Sequence, residues 1–307
     1  MTDKTPNLFI VGAAKSATTS LYYYLQQHPD IFFCEPKEPK FYSYKYNKFP
    51  HRGPGDKRVD DFVVRDYSKY LSLFSSVASE KIIAEASVDY LYFYESAKDI
   101  KKDNPEAKII IILRNPVDRA LSAYSHLRKD MRESLSFENA LELEQERIDN
   151  NYEFIWHYKE VGLYSSQVKT YIDVFGRSSV RIILFEELKK DVSKVLREIL
   201  EFLGLKPDFE FSTTNKYNIS GIPKNTFLNK VILKPNLIKE LIKKTIPKET
   251  LKYLQLKKSN YLKKKLVKQE IEPDLKDKLI SFYKKDILNL EELIDKDLSG
   301  WLKNNSK

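Results

Sequence analysis

Between Gly12 and Ser20 the chain reads Gly-Ala-Ala-Lys-Ser-Ala-Thr-Thr-Ser, straight after the apolar run Leu8–Val11 and into the helical pattern Thr18–Gln27. A turn joining strand to helix in this way points backbone N–H groups and the positive helix end at one spot, which makes an anion site. The nucleoside triphosphate form of such a loop reads G-x-x-x-x-G-K-[ST]. On that template Gly12 and Thr19 fit, but Ala17 replaces the second glycine and Thr18 stands where the lysine belongs. The lysine is instead Lys15, inside the loop. Mg²⁺-dependent phosphoryl transfer also wants a strand-end Asp. Here the run Lys108–Leu113 ends in Arg114, and no carboxylate follows until Asp118. A structural turn is the alternative reading of the loop taken alone.

Arg114 has its own physical logic. It closes a continuous Ile/Leu run of the kind buried on both faces of a parallel sheet, and open α/β sheets place ligands at such strand ends. Its planar fork suits bidentate phosphate binding. Asn115 as N-cap and Pro116 as first helical residue start a helix, on which Arg119 and Ser122, three apart, share a face. A strand-end salt bridge is the other reading of Arg114. For Arg119 a salt bridge to a neighbouring acid is expected, and Asp118 reads as a first-turn acid favoured by the helix dipole. A third segment, Glu35-Pro-Lys-Glu38-Pro-Lys-Phe-Tyr42, offers two carboxylates among lysines. Surface pairing with Lys37 and Lys40 would explain both without any chemistry.

The loop and the Arg/Ser helix, in order and about 100 residues apart, resemble two motifs of the PAPS-dependent sulfotransferases, in particular the branch of heparan sulfate and bacterial carbohydrate enzymes. The acidic segment is similar to the one that supplies that branch's catalytic base. Weaker likeness runs through Gly162-Leu-Tyr164, Phe185-Glu-Glu-Leu188 and Leu290–Trp301. The resemblance implies transfer of a sulfuryl group from 3′-phosphoadenosine 5′-phosphosulfate (PAPS) to an acceptor hydroxyl of a small molecule or glycan, leaving adenosine 3′,5′-bisphosphate and using no metal. It assigns the 5′-phosphosulfate to Lys15, Ser16, Ala17, Thr18 and Thr19, and the 3′-phosphate to Arg114 and Ser122. Lys224, within Asn218-Ile-Ser220-Gly-Ile-Pro223-Lys224, falls where the family closes a basic loop over the nucleotide; an ordinary loop lysine is its other reading.

On the same resemblance Glu38 is the general base, with Glu35 its rival, and Lys15 stabilises charge on the leaving phosphate oxygen. Lys40 and Ser87 face the acceptor, and Tyr90 either joins them or packs in the core. The heparan sulfate enzymes often carry Lys where Ala86 stands, a departure on the acceptor side. The histidine base of the aryl and steroid branch has no counterpart in Ala84–Tyr90, and His28, His51, His126 and His157 read as structural or surface residues. A carbohydrate or glycolipid acceptor is what the Glu38 branch implies.

These groups need a scaffold. Apolar runs at Leu8–Val11, Ile31–Cys34, Lys81–Ala86, Lys108–Leu113 and Val180–Phe185 alternate with helical stretches near Thr18–Gln27, Leu91–Lys102, Asn115 onward, Tyr164–Phe175 and Val192–Leu203. The pattern predicts an α/β fold with a central, mostly parallel sheet of about five strands flanked by helices. Residues 1–307 read as a single domain: an α/β core over 1–225, then a helical, basic, strand-free extension over 226–307.

Composition sets the outer bounds. With 42% hydrophobic and 32% charged residues the chain is ordinary for a globular protein. Cys34 is the only cysteine, so no internal disulfide can form. The N-terminus lacks a long apolar run behind a basic start, and a cytoplasmic enzyme is expected. The net charge is +9, yet residues 229–268 hold thirteen lysines against two acids, +11, which leaves about −2 for the rest. That segment is either a solvated helical face, packed in part on the core, or a peripheral contact with an anionic membrane. No nucleic-acid motif accompanies the charge. Two rival functions follow: a Mg²⁺-dependent phosphate-loop kinase, and a non-enzymatic protein that binds anionic surfaces through the tail.

Overall fold

A computed structural model describes residues 4–214, 222–223, 266–267 and 269–304. Five parallel strands, β1 (Leu8–Gly12), β2 (Ile31–Phe33), β3 (Ile82–Glu85), β4 (Lys108–Leu113) and β5 (Val180–Leu184), form one sheet in the order β2-β3-β1-β4-β5. The α/β architecture expected from the alternating runs is therefore the one observed. The β1 and β4 runs are apolar over Leu8–Val11 and Ile109–Leu113 because alternate residues serve two cores. Phe9, Val11, Ile109, Ile111 and Leu113 enter one; Leu8, Ile10, Ile110 and Ile112 enter the other.

Helices cover both faces. The chain-order set opens with α1 (Thr18–Leu25), α2 (Lys57–Asp60), α3 (Tyr67–Ser72), α4 (Ser96–Asp103), α5 (Pro116–Lys129), α6 (Phe137–Glu142) and α7 (Glu144–Asp149). It continues with α8 (Tyr164–Phe175), α9 (Phe185–Lys190), α10 (Val192–Leu203) and α11 (Pro273–Ile294). On one face α4, α5, α8 and α11 bury residues such as Ile100, Leu127, Tyr171 and Ile287. On the other, α1, α9 and α10 bury Leu21, Leu188 and Leu200. Asn115 caps α5 as its sequence promised, its side chain accepting from the N–H of Val117 at 3.0 Å.

Two expectations change. The helix expected from Leu91 starts only at Ser96, because the Leu91 N–H donates to the Val11 carbonyl at 2.8 Å and so belongs to the end of β1. The region after Pro223 is not strand-free: β6 (Ile222–Pro223) pairs antiparallel with β7 (Leu266–Val267). Two residues per strand are too few to leave a periodic signal. Lys224 and all of 229–268 except β7 lie outside the described residues.

Candidate active site

Because β1 and β4 are neighbours, Gly12 and Arg114 leave the sheet side by side at its C-terminal edge. The chain crosses from β3 over β1 to β4, so this edge is where the connections diverge and a crevice opens. The N–H of Ala13 donates to the Ile112 carbonyl at 2.7 Å, tying the loop to β4. Arg114 Nη1 donates to the Lys15 carbonyl at 3.1 Å. The loop and the Arg/Ser helix, separate in sequence, share one site. Gly12 is required by close approach, since a Cβ there would lie 2.6 Å from Leu91 Cβ.

Lys15 and Ala17 are both left-handed, at φ 72 and φ 69, a conformation that costs non-glycine residues about 1–2 kcal/mol each. Ala17 is the N-cap of α1 and brings no capping side chain, so first-turn N–H groups stay available to an anion. Ser16 departs from its expected place. It is fully buried, its N–H donates to the Ala13 carbonyl at 3.2 Å, and its hydroxyl has no partner among the described residues. The left-handed turn at Lys15 directs Ser16 behind the loop, while Lys15, Ala17, Thr18 and Thr19 line the front.

That front is one wall of a cavity of about 750 Å³, a size suited to a nucleotide with room beyond it. Ser122 and Arg114 line it, as do Glu38 and Lys40. The walls carry eight lysine or arginine side chains against two glutamates. Arg114 stacks its guanidinium 4.8 Å over the Phe185 ring. Glu35, by contrast, is exposed and accepts from Gln26 Nε2 at 3.3 Å. Of the two candidate glutamates, only Glu38 belongs to the cavity.

Glu38 sits on a loop hung from the end of β3. Glu38 and Lys40 are again left-handed, at φ 64 and φ 57. The Lys40 N–H donates to Ser87 Oγ at 3.1 Å, and the Tyr42 N–H donates to Tyr90 Oη at 3.1 Å. Ser87 in turn donates to Glu85 Oε1, and Tyr70 donates to Glu85 Oε2, both at 2.6 Å. Ser87, 1% exposed, is thus a strut beneath the loop and does not face an acceptor. Tyr90 is core. Lys40 reaches the cavity, but its ammonium is held by Glu153 at 3.3 Å and Asp89 at 4.0 Å.

The charges perturb one another. Burial pushes Lys15 down, neighbouring Lys129 adds to the effect, and its pKa falls to about 8. Burial alone would raise Glu38, but Lys37, Lys40 and Lys15 outweigh it and hold the carboxyl below its usual range. Burial pushes Glu85 up to about 7, outweighing the hydrogen bonds it accepts from Ser87 and Tyr70.

Two residues of α5 go further than their sequence suggested. Arg119, expected in a salt bridge, is fully buried and donates to the Tyr158 carbonyl instead. His126, read as structural or surface, lines the cavity, and burial followed by Lys15 pushes it down to about 4. Lys129 lines it too. The signal was available, since positions four and seven beyond Ser122 share its helix face. Arg58 and Phe62, the latter 65% exposed, complete the mouth. Arg58 lies in the four-residue helix α2 and Phe62 just beyond it, a stretch too short to carry a periodic signal. Glu153, which lines the same cavity and pairs with Lys40, belongs to no sequence motif that would announce it.

A family model described as "Sulfotransferase family" matches residues 6–210. Among solved structures, a sulfotransferase from Alicyclobacillus acidocaldarius is similar over 97% of this chain and 99% of its own, with a TM-score of 0.79 and 39% sequence identity. The bifunctional heparan sulfate N-deacetylase/N-sulfotransferase 4 of Mus musculus is 28% identical over 227 residues, 68% of this chain and 23% of that protein. Carbohydrate sulfotransferase 15 of Mus musculus is 26% identical over 249 residues, 66% of this chain and 44% of that protein. The chain therefore matches under half the length of either curated relative.

Proposed function

Starting from a chain that belongs to the sulfotransferase family, we propose that it moves a sulfuryl group from PAPS to a hydroxyl of a carbohydrate or glycolipid acceptor by in-line displacement. The observation that carries this is the shared cavity: Lys15 and Arg114 on adjacent strand ends, with Glu38 lining the same space. Such a pocket suits a ligand with two anionic ends, and its surplus of cations suits a donor that needs no metal to offset its charge.

The residues divide the work as follows. Arg114 and Ser122 offer a fork and a hydroxyl to the 3′-phosphate. Thr18, Thr19 and the open N–H groups at the start of α1 take the 5′ end. Lys15 offsets the charge that gathers on the phosphate oxygen as the S–O bond to sulfur breaks. Glu38 accepts the acceptor's proton, and because its lysines keep it a weak base, that proton leaves only as the new S–O bond forms. Phe62 presents a ring face for a sugar, and Arg58 and Lys129 present cations for its acidic substituents.

Calorimetric titration with adenosine 3′,5′-bisphosphate and with ATP, each with and without Mg²⁺, tests the proposal. Tight bisphosphate binding indifferent to Mg²⁺, with ATP far weaker, is expected. Mg²⁺-dependent ATP binding without bisphosphate binding would move the chain's activity to the kinase class.

A further inference from the structure

We infer that Arg114 is a positioning residue for Lys15 as well as a ligand for the 3′-phosphate, so that the side chain that serves the 3′ site also sets the shape of the loop that holds the 5′ end. This rests on the donor reading above and goes beyond it, since that reading needs only that the two motifs grip opposite ends of the ligand independently.

The geometry that carries it is a single peptide unit. A trans peptide is rigid and planar, with its carbonyl and N–H pointing in opposite directions. In the Lys15–Ser16 peptide the carbonyl accepts from Arg114 Nη1 at 3.1 Å, and the N–H donates to the Ala13 carbonyl at 3.2 Å. Both ends are therefore pinned, one by a side chain and one by the backbone. On either side of the pinned Ser16 stand Lys15 and Ala17, both in the disfavoured left-handed region. A loop with two such residues keeps its shape only where its surroundings over-determine it, and among the described residues Arg114 is the side chain that donates to the Lys15 carbonyl.

The guanidinium leaves little choice about how it does this. Of its five N–H donors, one Nη1–H is committed to Lys15, and Nε is buried without a partner among the described residues. The ring of Phe185 covers one face at 4.8 Å. An incoming phosphate must therefore be held from the Nη edge, through Nη2 and the second hydrogen of Nη1. The same nitrogen then bonds both the ligand and the Lys15 carbonyl. Ala13, through its bond to Ile112, anchors the opposite side of the loop to β4, so a shift of Arg114 acts on the loop through its bond to the Lys15 peptide.

The test is calorimetric titration of the full chain, as wild type, Arg114→Ala, Lys15→Ala and the double variant, with adenosine 3′,5′-bisphosphate and with adenosine 5′-monophosphate, which lacks the 3′-phosphate. Arg114→Ala should weaken the bisphosphate by roughly 100-fold or more, and should also weaken the monophosphate by about tenfold, the loss of one charge-assisted hydrogen bond that shaped its site. The two single-variant losses on the monophosphate should be non-additive, because each disables the same lysine. Unchanged monophosphate affinity in Arg114→Ala would overturn the inference. So would a loss that adds fully to that of Lys15→Ala, because Arg114 would then support the fold at large. Should Arg114→Ala fail to fold, Arg114→Lys keeps the charge but lacks the two-sided fork. It should retain part of the bisphosphate advantage while losing the same tenfold on the monophosphate, and an unaffected monophosphate would again overturn it. Wild type that binds the two ligands equally would sink the donor reading itself, whatever the variants do.

Discussion

Lys37 Nζ lies 2.5 Å from Glu38 Oε1, so the carboxylate assigned as base is ion-paired before any acceptor arrives. The pairing is not a reason to discard it, because the Glu38 side chain remains 32% exposed to the cavity while Lys37 occupies one oxygen. It does restrict how the residue can act. A carboxyl held low by three lysines is ionised throughout the neutral range and takes a proton only from an oxygen already committed to sulfur.

Glu38→Gln keeps the shape and removes the base. Turnover should fall on the order of 10²–10⁴-fold, while calorimetric affinity for adenosine 3′,5′-bisphosphate stays as in wild type. The acid limb of kcat/KM in the wild type should lie below the usual carboxylate range, because ionisation of Glu38 survives to lower pH. Near-normal turnover in the variant would remove Glu38 from the role.

Lys15 sets the other limb. Its ammonium is charged below about pH 8 and is lost as pH rises through that value, so kcat/KM should decline above it. Lys15→Arg carries a charge that does not titrate there, and the alkaline limb should move out of the accessible range even if the rate is lower. An unmoved limb would assign it to another group. Lys15→Ala should depress turnover far more than the melting temperature.

Ala17 occupies a left-handed position that a glycine would adopt without strain. Relief of about 1–2 kcal/mol, set against the added freedom of glycine in the unfolded chain, leaves a net gain of about 0.5–1 kcal/mol for Ala17→Gly. Thermal unfolding should show a melting temperature raised by a few degrees. A lower one would mean that the Ala17 methyl contributes packing worth more than the strain.

Glu85 connects pH to stability. Its folded pKa, about 7, lies above the ordinary 4.5, so the protonated form is the one the fold favours. The stability it contributes is complete below the ordinary value and is lost as pH rises through about 7, up to roughly 3 kcal/mol at 1.36 kcal/mol per unit. Glu85→Gln should flatten this part of the stability–pH curve, read from denaturant midpoints between pH 4.5 and 8. An identical slope in the variant would place the titration elsewhere.

Much of the site was legible residue by residue. The strand-loop-helix junction at Gly12–Ser20, the strand end at Arg114 and the Asn115-Pro116 helix start are local patterns, and each stands where its pattern indicated. Ser16 and Ser87 were not legible in the same way. Whether a serine faces a cavity or turns beneath a loop depends on one backbone dihedral, at Lys15 in one case, and on a partner from another segment, Lys40, in the other. Glu38 was preferred to Glu35 on the resemblance, and the placement of the loop at the end of β3 is what brings Glu38 to the cavity.

Local periodicity, caps and composition are properties of neighbouring residues, and they determined an α/β chain with an anion loop, a strand-end arginine and a lysine-flanked glutamate. That these belong to one pocket was decided by the strand order, which sets β1 beside β4 across a hundred intervening residues. Sheet order is chosen by burial and hydrogen bonding between distant segments, energies to which no short window of sequence has access. The bond from Arg114 to the Lys15 carbonyl exists only because that choice was made.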